Sequence, residues 1–219
     1  MTFKYRYREP QKTIGDHEKL PLLLLLHGRG ADENDLFGLA PYLDKRFFIV
    51  SPRAPIVMPF GGYEWFELII GNDGDISVNI KHFHQSRELI SEFISELIAE
   101  HDLDANRIYL CGFSQGAIMS LSAALSEPEK FAGIVAMSGR AMPEMLPDAQ
   151  DFDRLKDFPI LVTHGIYDPV LPIENGRATK EILSRLPINL EYKEYAMAHE
   201  ISQESLRDVN DWLQLQIDD

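Results

Sequence analysis

Short apolar runs alternate with amphipathic segments along most of the chain. The apolar runs predict buried β-strands at residues 22–27, 47–51, 108–111, 132–137 and 159–164, and a last strand is predicted at residues 189–195, where Leu190, Tyr192 and Tyr195 are among the larger side chains. Between them, apolar side chains recur at helical spacing and predict helices at residues 35–43, 78–100, 117–125, 175–186 and after Ser202. This alternation is typical of a mostly parallel sheet that helices cover on both faces.

One predicted strand, residues 108–111, runs directly into a G-x-S-x-G pattern at residues 112–116. A serine between strand and helix in this pattern adopts a strained backbone, and the glycines beside it lack the Cβ atoms that would collide there. The hydroxyl of Ser114 would then stand above the sheet, near the unpaired N–H groups of the helix N-terminus. The pattern predicts a nucleophile; the alternative is an ordinary glycine-rich turn, and partner residues elsewhere in the chain decide between the two.

A nucleophilic serine needs a base, and imidazole is the side chain best matched to neutral pH. Two histidines follow Ser114 in the chain, His164 and His199. The order serine, acid, histidine is usual for hydrolases of this architecture. His199, after the last predicted strand, fits that order and is the predicted base, whereas His164 would reverse it.

The acid that orients the histidine is expected directly after a neighbouring strand. Asp168 lies there and is followed by Pro169, which stiffens the turn. Glu174 is the fallback acid. A simple turn role for Asp168 is the alternative interpretation.

An acyl-transfer site also needs N–H donors for the oxyanion that forms. One is the backbone N–H of Gln115, the residue after the nucleophile. The other is predicted to be the backbone N–H of Arg29, in the loop HGRGAD at residues 27–32. A dinucleotide-binding turn is excluded here because the required third glycine is replaced by Glu33.

Composition restricts the class of protein further. A chain of 219 residues with 45% hydrophobic content predicts one domain over residues 1–219, and a net charge of −14 argues against nucleic acid or anionic membrane surfaces as partners. The single Cys111 excludes an internal disulfide, and no Cys or carboxylate pattern around the histidines suggests a metal site. The apolar run at residues 20–26 is far shorter than the ~20 residues that cross a bilayer. With no signal-peptide pattern, a cytoplasmic location without integral membrane association is expected.

Six segments together carry a family resemblance: HGRGAD, SPRAP, WFEL, GFSQGA, HGIYDPVLP and AMAHEIS. In this order they closely resemble the phospholipase/carboxylesterase family of α/β-hydrolases, which includes acyl-protein thioesterases and bacterial carboxylesterases. The resemblance implies a triad of Ser114, Asp168 and His199 and an oxyanion hole formed by the amides of Arg29 and Gln115. Three positions depart from the usual family pattern, Ala117, Ile166 and Ala198, and none of them removes a reacting group.

The resemblance also suggests an acyl pocket from residues 56–68, with Met58, Trp65 and Phe66 as substrate contacts. Core packing under a long loop is the alternative interpretation for these three side chains.

The sequence as a whole predicts an α/β-hydrolase fold without a large lid. The predicted activity is hydrolysis of small carboxylic esters or thioesters through an acyl-enzyme at Ser114, with no cofactor and no metal. Two alternatives stay open: a non-catalytic binding protein with this fold, and a lysophospholipase or perhydrolase type of activity at the same serine. A homodimer also stays open.

Overall fold

The computed structural model describes residues 2–12, 19–70, 76–142, 145 and 149–218. In these ranges the strands are β1 (Tyr5–Arg8), β2 (Leu20–Leu26), β3 (Phe48–Pro52), β4 (Ile56–Val57), β5 (Tyr63–Glu64), β6 (Leu68–Ile70), β7 (Ile76–Val78), β8 (Leu103–Phe113), β9 (Gly133–Met137), β10 (Pro159–Gly165) and β11 (Asn189–Tyr195). The α-helices are α1 (Ile80–Glu100), α2 (Gln115–Ser126), α3 (Ile173–Leu183) and α4 (Gln203–Asp218). Short 3₁₀ helices lie at Leu36–Tyr42, Pro128–Lys130 and Ala149–Leu155.

Seven of the described strands form the central sheet, in the order β1-β3-β2-β8-β9-β10-β11. Only β1 pairs antiparallel with its neighbour; the other pairings are parallel, which confirms the predicted mostly parallel sheet. The long stretch after β3 holds two small antiparallel pairs, β4 with β5 and β6 with β7. The carboxyl ends of the parallel strands therefore share one edge of the sheet, where the loops meet.

Strand β2 shows why the chain needs an apolar run without alternation. Residues 22–26 are all leucine and fully buried. Leu22, Leu24 and Leu26 pack into a core cluster with α1, α2 and α3, whereas Leu23 and Leu25 pack into a second cluster with α4 and the first 3₁₀ helix. Because both faces of the sheet are covered, every side chain of the strand must be apolar.

Two predicted helices differ in detail from the structure. The segment predicted as a helix at residues 35–43 is a 3₁₀ helix, Leu36–Tyr42, which contains Pro41; proline has no N–H to donate to the i−4 carbonyl. The helix predicted at residues 175–186 is α3, which begins directly after Pro172 and ends at Leu183. Ser202 caps α4 as predicted, since its Oγ accepts a 3.1 Å hydrogen bond from Ser205 N.

The connection from α2 to β9 is short. It spans residues 127–132 and holds a single 3₁₀ turn.

None of the helices in the described ranges combines the length and the apolar composition that crossing a bilayer requires.

Candidate active site

Ser114 lies at the turn between β8 and α2, with φ 53° and ψ −114°, a backbone conformation that residues other than glycine rarely adopt. A hydrogen bond from its N–H to Met137 O at 2.9 Å ties the turn to β9. A Cβ atom on Gly112 would lie 2.2 Å from Gly116 O, and one on Gly116 would lie 1.8 Å from Leu26 O. Strand and helix therefore cross too closely for any side chain at these two glycines, as the sequence pattern predicted.

Three loops bring Ser114, His199 and Asp168 into contact. His199 Nε2 lies 2.9 Å from Ser114 Oγ, and His199 Nδ1 lies 2.6 Å from Asp168 Oδ2. Because an ionised carboxylate only accepts hydrogen bonds, the proton of a neutral His199 lies on Nδ1, and Nε2 is left to accept from the serine hydroxyl. The ring of Phe113 packs against the imidazole, with ring centroids 4.9 Å apart.

The loop that carries Asp168 is fixed by backbone hydrogen bonds. Asp168 Oδ1 accepts from Val170 N and Leu171 N, both at 2.8 Å, which leaves Oδ2 directed at His199. Two further bonds join this loop to the segment before His199: Ile166 N to Tyr195 O at 2.8 Å and Tyr167 N to Met197 O at 3.0 Å. The acid and the histidine thus sit on loops that hold each other in place.

The two fallback residues lie elsewhere. His164 is fully buried, and its Nε2 lies 2.8 Å from Leu171 O. The imidazole therefore faces the loop at residues 166–171 that carries Asp168, which we call the acid loop. Glu174 is exposed in the first turn of α3. The imidazole that faces Ser114 is that of His199, not His164, and the carboxylate that faces His199 is that of Asp168, not Glu174.

The loop HGRGAD runs beside the serine. A Cβ atom on Gly28 would lie 3.4 Å from Ser114 Cβ. His27 shapes this loop: its Nδ1 lies 2.7 Å from Gly28 O, and its Nε2 accepts from Ala54 N at 3.0 Å. Burial lowers the pKa of His27 below its ordinary value, although the Gly28 carbonyl opposes this. The imidazole is therefore held neutral, as its acceptor role at Nε2 requires.

Gln115 is the first residue of α2, so its backbone N–H has no partner within the helix. Its side chain is a feature that the sequence interpretation missed. The buried amide bonds to the backbone of Trp65 and Phe66, with Oε1 2.7 Å from Trp65 N and Nε2 2.7 Å from Phe66 O. A signal existed in the sequence, because a large polar side chain at the start of a tightly packed helix must find hydrogen-bond partners when it is buried.

The suggested acyl-pocket residues have different surroundings. Trp65 and Phe66 are 0% and 1% exposed and belong to the core cluster, while Met58 is half-buried in the turn after β4. The Trp65 indole N–H donates to His27 O at 2.9 Å. The Trp65 side chain thus packs behind the HGRGAD loop, and contact of Met58, Trp65 and Phe66 with a substrate stays a prediction.

Within the described ranges, no group of three or more His, Cys, Asp or Glu side chains is arranged to hold a metal ion.

Known proteins resemble this chain over nearly its full length. The family model described as phospholipase/carboxylesterase matches residues 13–217. An acyl-protein thioesterase 1 of Debaryomyces hansenii is 32% identical over 209 residues, which cover 87% of this chain and 89% of that protein. Its counterpart in Kluyveromyces lactis is 31% identical, with coverages of 88% and 90%.

Solved structures agree on the fold. Esterase PE8 superposes with a TM-score of 0.79 at 27% identity and covers 97% of this chain and 98% of its own. The Bacillus cereus carboxylesterase, at 20% identity, has a TM-score of 0.83 with coverages of 98% and 94%, a likeness in the α/β-hydrolase fold. The matched range and the identity to the yeast proteins together show that this chain belongs to the phospholipase/carboxylesterase family.

Proposed function

We propose that this chain is a serine hydrolase that cleaves carboxylic esters or thioesters through an acyl-enzyme, with Ser114 as nucleophile, His199 as base and Asp168 as the acid that orients it. The observation that carries the proposal is the unbroken contact from Asp168 Oδ2 through His199 to Ser114 Oγ, at 2.6 and 2.9 Å. Thioesters and esters are both included because the relatives bear the names of an acyl-protein thioesterase and an esterase.

In the first half of the reaction, Ser114 Oγ attacks the acyl carbon while its proton passes to His199 Nε2. The tetrahedral intermediate collapses, the bond to the leaving oxygen or sulfur breaks, and Nε2 returns the proton to that atom. In the second half a water molecule gives a proton to Nε2 and its oxygen attacks the acyl carbon. This second tetrahedral intermediate collapses, the bond from the acyl carbon to Ser114 Oγ breaks, and Nε2 returns the proton to Oγ. The carboxylic acid and free Ser114 are the products. Asp168 remains ionised throughout and stabilises the imidazolium that forms in each half.

The backbone N–H groups of Gln115 and Arg29 are proposed to stabilise the negative charge on the acyl oxygen. For Gln115 the support is its place at the helix N-terminus. For Arg29 the support is the orientation of its peptide plane: Gly28 O is held toward His27 Nδ1 at 2.7 Å and accepts from Ala31 N at 3.3 Å. Because C=O and N–H point in opposite directions on a trans peptide, the Arg29 N–H faces away from both partners.

The short connection after α2 leaves the serine without a helical cover from that side, which favours small or exposed esters as substrates. Met58, Trp65 and Phe66 are proposed to form one wall of the acyl pocket. The buried Trp65 and Phe66 would do so only from behind the HGRGAD loop. The cytoplasmic location, the single-domain organisation and a homodimer stay predictions from the sequence.

The test compares Ser114→Ala with the wild type on nitrophenyl esters of increasing chain length and on an acyl thioester of the same acyl group. Loss of turnover on the order of 10⁶-fold, with loss of labelling by a fluorophosphonate probe, is expected. Ser122→Ala is the matched control, because Ser122 lies in the same helix and its buried hydroxyl has no hydrogen-bond partner among the described residues. A Ser114→Ala enzyme that still turns over would place the nucleophile elsewhere, and a wild type inert to the probe would favour the non-catalytic binding protein.

A further inference from the structure

The side chain of Gln115 links the turn after Ser114 to a separate stretch of chain. With Oε1 accepting from Trp65 N and Nε2 donating to Phe66 O, both at 2.7 Å, the amide makes one bond of each kind to neighbouring residues. Gln115 is 4% exposed, so water does not compete for these bonds. The backbone of Gln115 is thereby fixed relative to residues 65 and 66.

The same stretch holds the HGRGAD loop. Gly30 N donates to Tyr63 O at 2.8 Å, and Tyr63 N donates to Ala31 O at 3.0 Å, so the two backbones form a short antiparallel bridge. The Trp65 indole N–H adds a bond to His27 O at 2.9 Å. The loop is therefore held to residues 63–65 both before and after Arg29.

The side chain of Arg29 adds an ion pair to the same stretch. Arg29 Nε lies 2.7 Å from Glu64 Oε2. The Glu64 side chain is only 6% exposed, whereas that of Arg29 is 43% exposed. A carboxylate this buried needs a charged partner, so the pair directs the Arg29 side chain toward residue 64.

The close approach of the two segments leaves no room for a side chain between them. A Cβ atom on Gly62 would lie 2.0 Å from Gly30 O, and the φ of Gly62 is +78°. Glycine at this position is what lets residues 63–66 reach the loop.

We propose that the YEWF segment, residues 63–66, positions both amide donors of the oxyanion hole, and that the Gln115 side chain is a positioning residue that couples this segment to the turn after Ser114. This inference rests on the proposed function. The physical reason is that an oxyanion hole works only when two N–H groups from remote loops converge on one point, and each loop alone has freedom to move. One segment bonded to both loops removes that freedom.

The test is Gln115→Glu, a nearly isosteric change that leaves the backbone N–H in place. It keeps an acceptor for Trp65 N but sets a carboxylate oxygen against Phe66 O, so the bond to residue 66 becomes a repulsion. We expect kcat to fall about 10- to 100-fold, less than the 10²- to 10³-fold cost of removing a donor outright, with KM changed less than about threefold. Inhibition by phenylboronic acid, whose tetrahedral adduct on the serine places an oxygen at the same donors, should weaken by a similar factor.

A second variant approaches the segment from the other loop. Glu64→Gln breaks the ion pair with Arg29 and should change kcat and the inhibition by phenylboronic acid in the same direction, by a smaller factor. The matched control is Thr179→Val in α3, which removes the buried hydrogen bond that Thr179 Oγ1 accepts from Ala141 N at 2.8 Å, together with the one it donates to Asn175 O at 2.8 Å. The control should lose thermal stability while retaining kcat and the wild-type response to the boronic acid.

Three outcomes distinguish a failure of the inference from a failure of the function on which it rests. If Ser114→Ala is inactive but Gln115→Glu and Glu64→Gln keep wild-type kcat and boronic acid inhibition, the YEWF segment does not position the donors. If Thr179→Val loses kcat as Gln115→Glu does at equal loss of stability, the effect is general destabilisation and the inference is wrong. If Ser114→Ala remains active, the proposed function fails and the inference fails with it.

Discussion

His164 Nε2 lies 3.6 Å from Asp168 Oδ2, and both side chains are fully buried. The same nitrogen lies 2.8 Å from Leu171 O, which can only accept, so the proton of a neutral His164 is on Nε2. Its Nδ1 has no hydrogen-bond partner among the described residues. The His164 imidazole therefore bonds to the backbone of the acid loop at Leu171, while His199 contacts the same loop at the Asp168 carboxylate.

We expect His164→Phe to loosen the acid loop, because it leaves Leu171 O without its buried donor. The free energy of unfolding should fall by about 1–3 kcal/mol, and kcat should fall with little change in KM. Urea unfolding and steady-state kinetics measure the two effects. His164→Gln, which offers an amide donor, should recover part of kcat; equal activity in the wild type and the Phe variant would show that the loop needs no such support.

Glu33 should control stability in acid. Burial opposes its ionisation, but hydrogen bonds from Arg53, from its own backbone and from Lys4 outweigh burial and lower the pKa of Glu33 to about 2. The native pKa lies below the ordinary 4.5, so this stabilisation is fully present above about pH 4.5 and is lost as the pH falls toward 2.

Urea unfolding of Glu33→Gln at several pH values tests this. The variant should be less stable than the wild type at pH 6, and the two should converge near pH 2. Parallel stability curves across that range would contradict the assignment.

His27 should give a second, separate pH effect. Burial lowers the pKa of His27 in the folded protein, so the unfolded chain takes up this proton at a higher pH than the native one. Stability from the neutral imidazole is therefore present above the ordinary pKa of 6.5 and decreases as the pH falls below it toward the lowered native value. The melting temperature of His27→Gln should depend less steeply on pH below 6.5 than that of the wild type. Identical slopes would show that His27 carries no such stabilisation.

Gly116 should tolerate no side chain. In Gly116→Ala the new Cβ would lie 1.8 Å from Leu26 O, a backbone atom that cannot move without shifting β2. We expect a loss of about 3 kcal/mol or more, or no folded protein. Gly38→Ala is the matched control, since a Cβ there meets nothing within 4 Å, and it should change stability by less than about 0.5 kcal/mol. Denaturant unfolding of both variants measures the two losses in the free energy of unfolding. Comparable small losses would mean that the turn at Gly116 can open to admit a side chain.

Much of the site could be predicted because its members follow strands. Ser114 comes directly after β8, and Asp168 and His199 follow shortly after the ends of β10 and β11; parallel strands bring their carboxyl ends to one edge. The prediction of which residues meet needed only the chain order. The distances between the three side chains depend on the conformations of the loops, which the chain order does not predict.

Other features could not be predicted from patterns in the sequence. Pro41 is visible in the sequence, but the predicted helix at residues 35–43 does not anticipate the 3₁₀ geometry. The family resemblance suggests Trp65 and Phe66 as substrate contacts, and this stays a prediction; the fold buries both in the core, with Phe66 against Phe83 of α1 and the Trp65 indole bonded to His27 O. An aromatic pair looks the same in sequence whether it lines a pocket or fills a core.

Sequence patterns are sufficient to predict the parallel strands of the central sheet, the sharp turn at Ser114 and the three residues proposed to react, because these predictions rest on apolar runs, glycines and the order of residues along the chain. The folded structure is needed to show that Gln115 bonds to residues 65 and 66, that His164 supports Leu171, and that Glu64 pairs with Arg29. Each of these contacts is a choice of partner for a buried polar group, and that choice depends on which remote backbone the folded sheet brings within 3 Å.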